Sequence, residues 1–89
     1  MSFRVLLHPK SARFLSRLEK GTKERIKSKL KELENRPERR GKRLRYSNFW
    51  ILRIGDHRAI YEIDEVENRV IVLFIGHRKN VYDDFSKLF

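Results

Sequence analysis

Two arginines on either side of a short Gly-Asp segment are the first indication of a chemical site in this sequence. Two runs rich in aromatic and β-branched residues flank Gly55-Asp56 and read as strands joined by a type II′ hairpin loop. A two-residue loop predicts that Arg53 lies directly opposite Arg58, with both side chains on one face of the sheet. Like charges in such a pair repel each other. The pair therefore predicts a bound anion or, alternatively, neutralisation by Glu62, which lies on the same face by parity.

A third arginine and two groups suited to proton transfer follow the last predicted strand. Residues 76–82 read GHRKNVY, and Arg78 could reach the side of the sheet that carries the arginine pair. His77 and Tyr82 are the nearby groups able to move a proton, although a His beside an Arg is often incidental and a Tyr can be a core ring. Three arginines with a His and a Tyr, and without a nearby carboxylate pair, favour a phosphate site over a glycosidase, protease or metal site.

Other classes of site and location find little support in the sequence. The chain has no cysteine, and its three histidines share no ligand spacing, so we expect no metal site and no other cofactor. Its four glycines are isolated, which excludes a Gly-rich phosphate loop. The longest apolar run, 70–75, is far shorter than the roughly 20 residues of a membrane span, and residues 1–8 carry no export signal. We expect a cytoplasmic protein.

The positive charge is concentrated in the first half of the chain. The formal net charge is +10 over 89 residues. Residues 10–45 hold 15 Lys or Arg against 5 Glu, whereas the rest of the chain holds 7 basic and 7 acidic residues. Such a stretch is either a solvated surface that keeps the protein soluble or a surface that binds a polyanion.

The first half predicts a strand and two helices. Phe3, Val5 and Leu7 alternate with Arg4, Leu6 and His8, which is the period of a short strand. Ser11 is the expected cap of a first helix, which Gly21 would break. A second helix begins near Thr22, carries an apolar stripe at helical spacing and ends at Asn35. A short turn would make the two helices antiparallel.

The second half predicts a β-meander. Strands at 49–54, 57–63 and 69–75 are separated by polar turns, and 83–89 forms a last helical turn. The order predicts a single α+β domain over residues 1–89: an N-terminal strand, an antiparallel helical hairpin, an antiparallel β-meander and a short C-terminal helical turn. We expect the helices on one face of the sheet.

These segments resemble the RelE/ParE superfamily of toxins from type II toxin–antitoxin systems. The resemblance rests on R-x-G-D-x-R-x-I-Y-E at 53–62 and G-H-R-K-x-V-Y at 76–82, and the length, the helical hairpin and the basic character also fit. Within the superfamily, the sequence is similar to the RelE branch of mRNA interferases. This resemblance implies that the protein is a ribosome-dependent endoribonuclease, which cuts messenger RNA in the ribosomal A site and so inhibits translation.

The resemblance also implies roles for the candidate residues. The reaction is attack of an RNA 2′-hydroxyl on the adjacent phosphate, which yields a 2′,3′-cyclic phosphate and a 5′-hydroxyl without a metal or cofactor. Arg53, Arg58 and Arg78 would stabilise the charge on the phosphorane. Either Tyr82 or His77 would transfer protons.

One departure from the family pattern keeps two alternatives open. Some members carry a lysine two residues before the Arg53 position, where this chain has Ile51. The missing cation allows a catalytically weak, RNA-binding homologue. The other alternative is a ParE-like toxin that inhibits DNA gyrase and cuts no RNA.

Partners follow from the same resemblance. RNA backbone, from the messenger or the ribosome, would lie along the basic surface. The RNA-binding candidates on this surface are Lys27, Lys31, Lys42, Arg43 and Arg45. A RelB-like antitoxin, acidic in its binding segment, would block the toxin, and the complex of the two could bind its own operator DNA.

Overall fold

A mixed five-stranded sheet with helices on both faces forms the protein, seen in a computed structural model that describes residues 2–89. The strands are β1 (Arg4–Leu7), β2 (Lys42–Arg43), β3 (Phe49–Ile54), β4 (His57–Asp64) and β5 (Arg69–His77). The helices are α1 (Pro9–Ser16), α2 (Lys20–Lys31) and α3 (Val81–Leu88), with single 3₁₀ turns at Glu32–Glu34 and Pro37–Arg39. The strand order is β1-β5-β4-β3-β2, and β1 runs parallel to β5. Met1, which belongs to the predicted domain and to the segment read for an export signal, lies outside the described residues.

Ser11, the predicted cap, lies inside the first helix, because α1 begins at Pro9 and its N-cap is three residues before Ser11. His8 caps α1, and its Nδ1 accepts a hydrogen bond from the Lys10 backbone N–H at 3.1 Å. Pro9 is the first helical residue. Proline suits this position because a backbone N–H here would have no partner within the helix. Ser11 is fully buried and donates its hydroxyl to the carbonyl of Val72 at 2.8 Å. Its polar group ties α1 to the centre of the sheet.

The predicted break at Gly21 is wrong, because Gly21 lies in the first turn of α2. Glu19 is the N-cap and the helix continues for 12 residues from Lys20. Glycine lowers helix stability by about 1 kcal/mol relative to alanine, a cost that a helix with a buried apolar stripe tolerates. The stripe is present, since Ile26 and Leu30 are buried against the sheet.

The helices lie on both faces of the sheet, and the expectation of one face is wrong. Residues of α1 and α2 share one core cluster with Leu52, Tyr61 and Val72. The C-terminal segment is an eight-residue helix rather than a single turn, and Val81 and Phe85 of α3 pack into a second cluster on the opposite face. An apolar strand such as β5 is typical of sheets covered on both faces.

A β-bulge in β5 interrupts its regular pairing with β4. Ile60 of β4 lies opposite Phe74, whereas Tyr61 lies opposite Val72, so that Leu73 is the additional residue. Leu73 and Phe74 both pack against the cluster under α3. In the part of the chain that the structure describes, no helix is long and apolar enough to cross a membrane.

Candidate active site

The β3–β4 hairpin brings the two central arginines together, as its loop predicts. Arg53 and Arg58 are direct partners in the antiparallel ladder. Gly55 has a φ of 58°, the positive value that the first loop position of a type II′ turn requires. Both side chains lie on the face of the sheet that α3 partly covers, away from α1 and α2.

A cleft of about 360 Å³ opens on this face. Its lining residues are Arg40, Gly41, Lys42, Ile51, Arg53, Arg58 and Tyr82. Four of them carry positive charge, and no carboxylate is among the described residues that line the cleft. Tyr82, in the first turn of α3, is 53% exposed, so its ring is not a core ring.

The repulsion between the two arginines is not offset by an ion pair. Between residues 2 and 89, no carboxylate oxygen lies within 4.0 Å of Arg53 or Arg58. Glu62, the alternative neutralising group, lies opposite Phe49 and lines a different cleft together with Glu38. The Arg58 guanidinium instead donates to the carbonyls of Gly55 and His57, each at 2.8 Å. Two adjacent guanidinium groups without a counter-ion, one of them held by hydrogen bonds, favour an anion as ligand.

The wall of the cleft depends on a buried tyrosine and a glycine. The Tyr61 hydroxyl donates to the carbonyl of Pro37 at 2.8 Å, and burial raises the pKa of Tyr61 to about 12. A side chain at Gly41 would collide with the carbonyl of Ile51 and with the Tyr61 hydroxyl. The absence of a side chain at Gly41 therefore lets the segment before β2 lie close to β3.

Arg40 also lines the cleft and is not among the residues predicted from the sequence. Its Nε donates to the carbonyl of Asn35 at 3.0 Å, and its side chain lines the cleft. The sequence contains a signal, since Arg40 belongs to a run of four basic residues interrupted only by Gly41. The run predicts positive charge in this segment, but it does not indicate which of its side chains enters the cleft.

Arg78 lies beside the hairpin loop and does not line the cleft. Its backbone N–H donates to the carbonyl of Asp56 at 2.8 Å, and its Nε lies 3.7 Å from Asp56 Oδ1. The Arg78 side chain is 51% exposed. Exposed ion pairs of this kind contribute little to stability, so the guanidinium is held only weakly.

His77 lies on the other face of the sheet. It is the ladder partner of His57, and the two ring centroids are 6.0 Å apart. The ring of Phe14 from α1 packs edge-on against His57, which places both histidines under the helix pair. Burial, with a smaller effect of the His77 ring, lowers the pKa of His57. The structure brings Tyr82 to the cleft and leaves His77 outside it.

The predicted RNA-binding residues divide into two groups. Lys42 lines the cleft, Arg43 is the last residue of β2, and Arg45 lies in the loop between β2 and β3. Lys27 and Lys31 belong to α2 and border a separate groove beside β1. The sheet separates these two lysines from the cleft.

Solved structures of toxins share this fold. The toxin–antitoxin complex RelBE2 from Mycobacterium tuberculosis matches with a TM-score of 0.81 and 26% identity, over 88% of this chain and 93% of that chain. The RelE–RelB complex from Pyrococcus horikoshii OT3 matches with a TM-score of 0.76 and 25% identity, over 88% and 97%. A mutant Escherichia coli RelE toxin in the free state has the same fold, with a TM-score of 0.79 and 20% identity over 100% and 99%. The fold is therefore that of RelE-like toxins.

The sequence itself matches a family model described as the ParE toxin of the type II toxin–antitoxin system parDE, over residues 5–82. No curated protein matched the chain. The chain belongs to the ParE toxin family, within the RelE/ParE superfamily of type II toxin–antitoxin toxins.

Proposed function

We propose that this toxin is a metal-independent endoribonuclease that cuts messenger RNA in the ribosomal A site. The observation that carries the proposal is the cleft in which Arg53, Arg58 and Lys42 lie with Tyr82 and without a lining carboxylate among residues 2–89. A phosphodiester is the anion that this set of groups suits. The tyrosine adds a hydroxyl that can take part in proton transfer.

In the proposed reaction, the RNA 2′-oxygen bonds to phosphorus as its proton leaves, and the bond from phosphorus to the 5′-oxygen breaks. The leaving 5′-oxygen takes up a proton. Arg53 and Arg58 stabilise the additional negative charge on the phosphorane, because the ladder already places the two arginines side by side before the charge develops. Tyr82 moves a proton at one of the two oxygens, a role that we assign to it rather than to His77 because it lines the cleft.

Lys42 supports catalysis despite the missing cation at position 51. It is the ladder partner of Ile51 on the neighbouring strand, and both residues line the cleft. The Lys42 ammonium is therefore available in the region where relatives are expected to carry a lysine on β3. This arrangement favours an active enzyme over a catalytically weak homologue.

Arg78 completes the site by rotating away from Asp56 when RNA binds. Its exposed ion pair is weak, and its backbone anchors it at the end of β5 next to the hairpin. A phosphate in the cleft would be a stronger partner than the solvated carboxylate, because two arginines already attract it.

The proposed partners follow from the relatives. The structures from M. tuberculosis and P. horikoshii contain RelB-type antitoxins, and we propose a RelB-like acidic antitoxin here. The ribosome and messenger RNA are the proposed targets in the cytoplasm. Operator DNA is a proposed ligand of the toxin–antitoxin complex.

The test is translation in a cell-free extract, with messenger RNA integrity followed by primer extension. The wild type should cut messenger RNA at codon-spaced positions and stop translation, whereas Arg58→Ala and Tyr82→Phe should each lower the cleavage rate by about 100-fold or more. Arg4→Ala is the matched control, since Arg4 is an exposed arginine of β1 at the opposite edge of the sheet. Intact messenger RNA with the wild type would refute the proposal.

The match to the ParE family model supports one alternative, inhibition of DNA gyrase. Under that alternative the toxin would bind gyrase and leave RNA uncut. A supercoiling assay with purified gyrase separates the two functions. Inhibition by Arg58→Ala and Tyr82→Phe equal to that by the wild type, together with intact messenger RNA, would establish the alternative.

A further inference from the structure

Tyr46 presents a complete aromatic ring to solvent from a constrained loop. The residue is 96% exposed and has a φ of 59°, the left-handed region that side chains other than Asn, Asp and Gly rarely adopt. It lies between β2 and β3, on the hairpin whose strands carry Lys42 and Arg53 into the cleft. Neither burial nor core packing explains a tyrosine in this conformation.

Hydrogen bonds on both sides of Tyr46 hold the loop in this shape. The Leu44 N–H donates to the carbonyl of Phe49 at 2.8 Å, which closes the loop. The Ser47 hydroxyl donates to the carbonyl of Leu44 at 2.9 Å, and the Arg43 Nε donates to the carbonyl of Ser47 at 3.0 Å. The unfavourable φ is therefore maintained by the neighbouring residues, which hold the backbone that carries the ring.

The charge around the ring is positive. The guanidinium carbon of Arg45 lies 5.6 Å from the centroid of the Tyr46 ring, within cation–π range. Lys42 precedes it in β2, is exposed and lies on the same face of the sheet as the cleft, whereas Arg43 lies on the opposite face. An exposed aromatic ring with cations nearby, here Arg45 and Lys42, is the combination by which proteins bind single-stranded nucleic acids, with bases stacked on the ring and phosphates on the cations.

The distance to the cleft suits a continuous RNA strand. Phe49, next to the loop, and Arg53 are four residues apart on β3, which corresponds to about 13 Å. A stacked nucleic-acid strand advances about 3.4 Å per nucleotide, so about four nucleotides cover that distance. A phosphate beside Arg53 and a base on Tyr46 can therefore belong to one RNA strand.

We propose that Tyr46 is a stacking platform for a nucleobase of single-stranded RNA, a few nucleotides from the phosphate held in the cleft. The proposal rests on the proposed function, because it takes the cleft to hold the phosphate of an RNA strand. It adds a site that reads no particular base, since every base has a π-face. Arg45 lies over one face of the ring, so a base would stack on the other face, and its guanidinium pairs with a phosphate.

The test measures RNA binding in the absence of cleavage. The probe is a short RNA that carries 2′-O-methyl groups, so that no 2′-hydroxyl can attack, with 2-aminopurine placed at each position in turn. Tyr46→Phe keeps the ring, whereas Tyr46→Asn removes it and retains a residue that tolerates a positive φ. The matched control is Val66→Asn, because Val66 is an apolar residue that is 89% exposed in the turn between β4 and β5.

We expect Tyr46→Asn to weaken binding by between about 5-fold and about 100-fold, as loss of one base–aromatic stack does. Tyr46→Phe and Val66→Asn should bind like the wild type. Quenching of 2-aminopurine should occur at one position and should disappear in Tyr46→Asn. An abasic nucleotide at that position should weaken binding to the wild type and leave binding to Tyr46→Asn unchanged.

Equal binding of the wild type and Tyr46→Asn, or no measurable binding of the RNA by either protein, would overturn the inference. A polyglutamate peptide of matching charge is the probe for an acidic protein. If the affinity for polyglutamate falls in Tyr46→Asn while that for RNA does not, the loop binds protein and the inference is wrong. If a base stacks on Tyr46 but the protein leaves messenger RNA intact on the ribosome, the proposed cleavage is refuted and the stacking is not. Cleavage with unchanged RNA binding by Tyr46→Asn would refute the stacking alone.

Discussion

The hydroxyl of Tyr61, from the centre of the sheet, donates to the backbone carbonyl of Pro37 at 2.8 Å. Both residues are fully buried. The bond joins β4 to the 3₁₀ turn that precedes Arg40 and β2. It therefore couples the core under the helix pair to a wall of the cleft on the other face.

Tyr61→Phe should destabilise the protein by about 1–3 kcal/mol, because the buried carbonyl of Pro37 loses its hydrogen-bond partner. Urea unfolding followed by tryptophan fluorescence measures the change, since Trp50 stacks on Tyr61. Tyr82→Phe, which removes an exposed hydroxyl, is the matched control for stability. A Tyr61→Phe protein as stable as the control would show that water or a shifted carbonyl replaces the bond.

Gly41→Ala should lower stability by about 1–3 kcal/mol, the usual range for overpacking, and should displace Lys42 from the cleft. A methyl group at this position collides with the carbonyl of Ile51 and the hydroxyl of Tyr61.

Gly21→Ala is the opposite case, because nothing lies within 4 Å of the added carbon. That variant should stabilise α2 by about 0.5–1 kcal/mol. Thermal unfolding of both variants measures the two changes in stability. A change in Tm of the same sign in both variants would contradict the predictions.

Lys42→Ala should reduce the salt dependence of single-stranded RNA binding by about 0.7 in log–log slope, the share of one phosphate contact. Ile51→Lys should increase the slope by about the same amount, because Ile51 is the ladder partner of Lys42 and lines the same cleft. The double variant Lys42→Ala, Ile51→Lys should regain the wild-type slope. Fluorescence anisotropy at several salt concentrations measures these slopes. A double variant that behaves like Lys42→Ala alone would show that the two positions do not reach the same phosphate.

Stability should fall as the pH drops below about 6.5, because burial lowers the pKa of His57 in the folded state. The unfolded chain then binds the proton more readily, so acid favours unfolding, and this contribution is retained at higher pH. Asp64 also has a lowered pKa, through hydrogen bonds from the Glu67 backbone and the Arg69 side chain, but its effect belongs to a lower pH range near its usual value of 3.8. His57→Gln should flatten the profile between about pH 5 and 7, measured by urea unfolding at each pH. A profile unchanged by His57→Gln would assign the acid sensitivity to another group.

Local sequence was sufficient for the arginine pair. A Gly-X loop between two β-rich runs leaves one register, and that register places Arg53 opposite Arg58, as the structure confirms. The strands of the meander and the apolar stripe of α2 are confirmed for the same reason, since period and turn chemistry act over a few residues. The family and the α+β fold class are likewise readable from the motifs and the order of elements.

The composition of the cleft was decided by tertiary structure. His77 and Tyr82 are equally plausible proton carriers in the sequence, but the bulge at Leu73 changes the side-chain alternation of β5, and His77 lies under the helix pair. The side of the sheet that α3 covers is set by packing of Val81 and Phe85, which no local pattern encodes. Arg40 enters the cleft through long-range contacts of Pro37 and Gly41. Local patterns along the chain are therefore sufficient for the hairpin, its arginines and the basic charge, whereas long-range packing selects which other side chains join them.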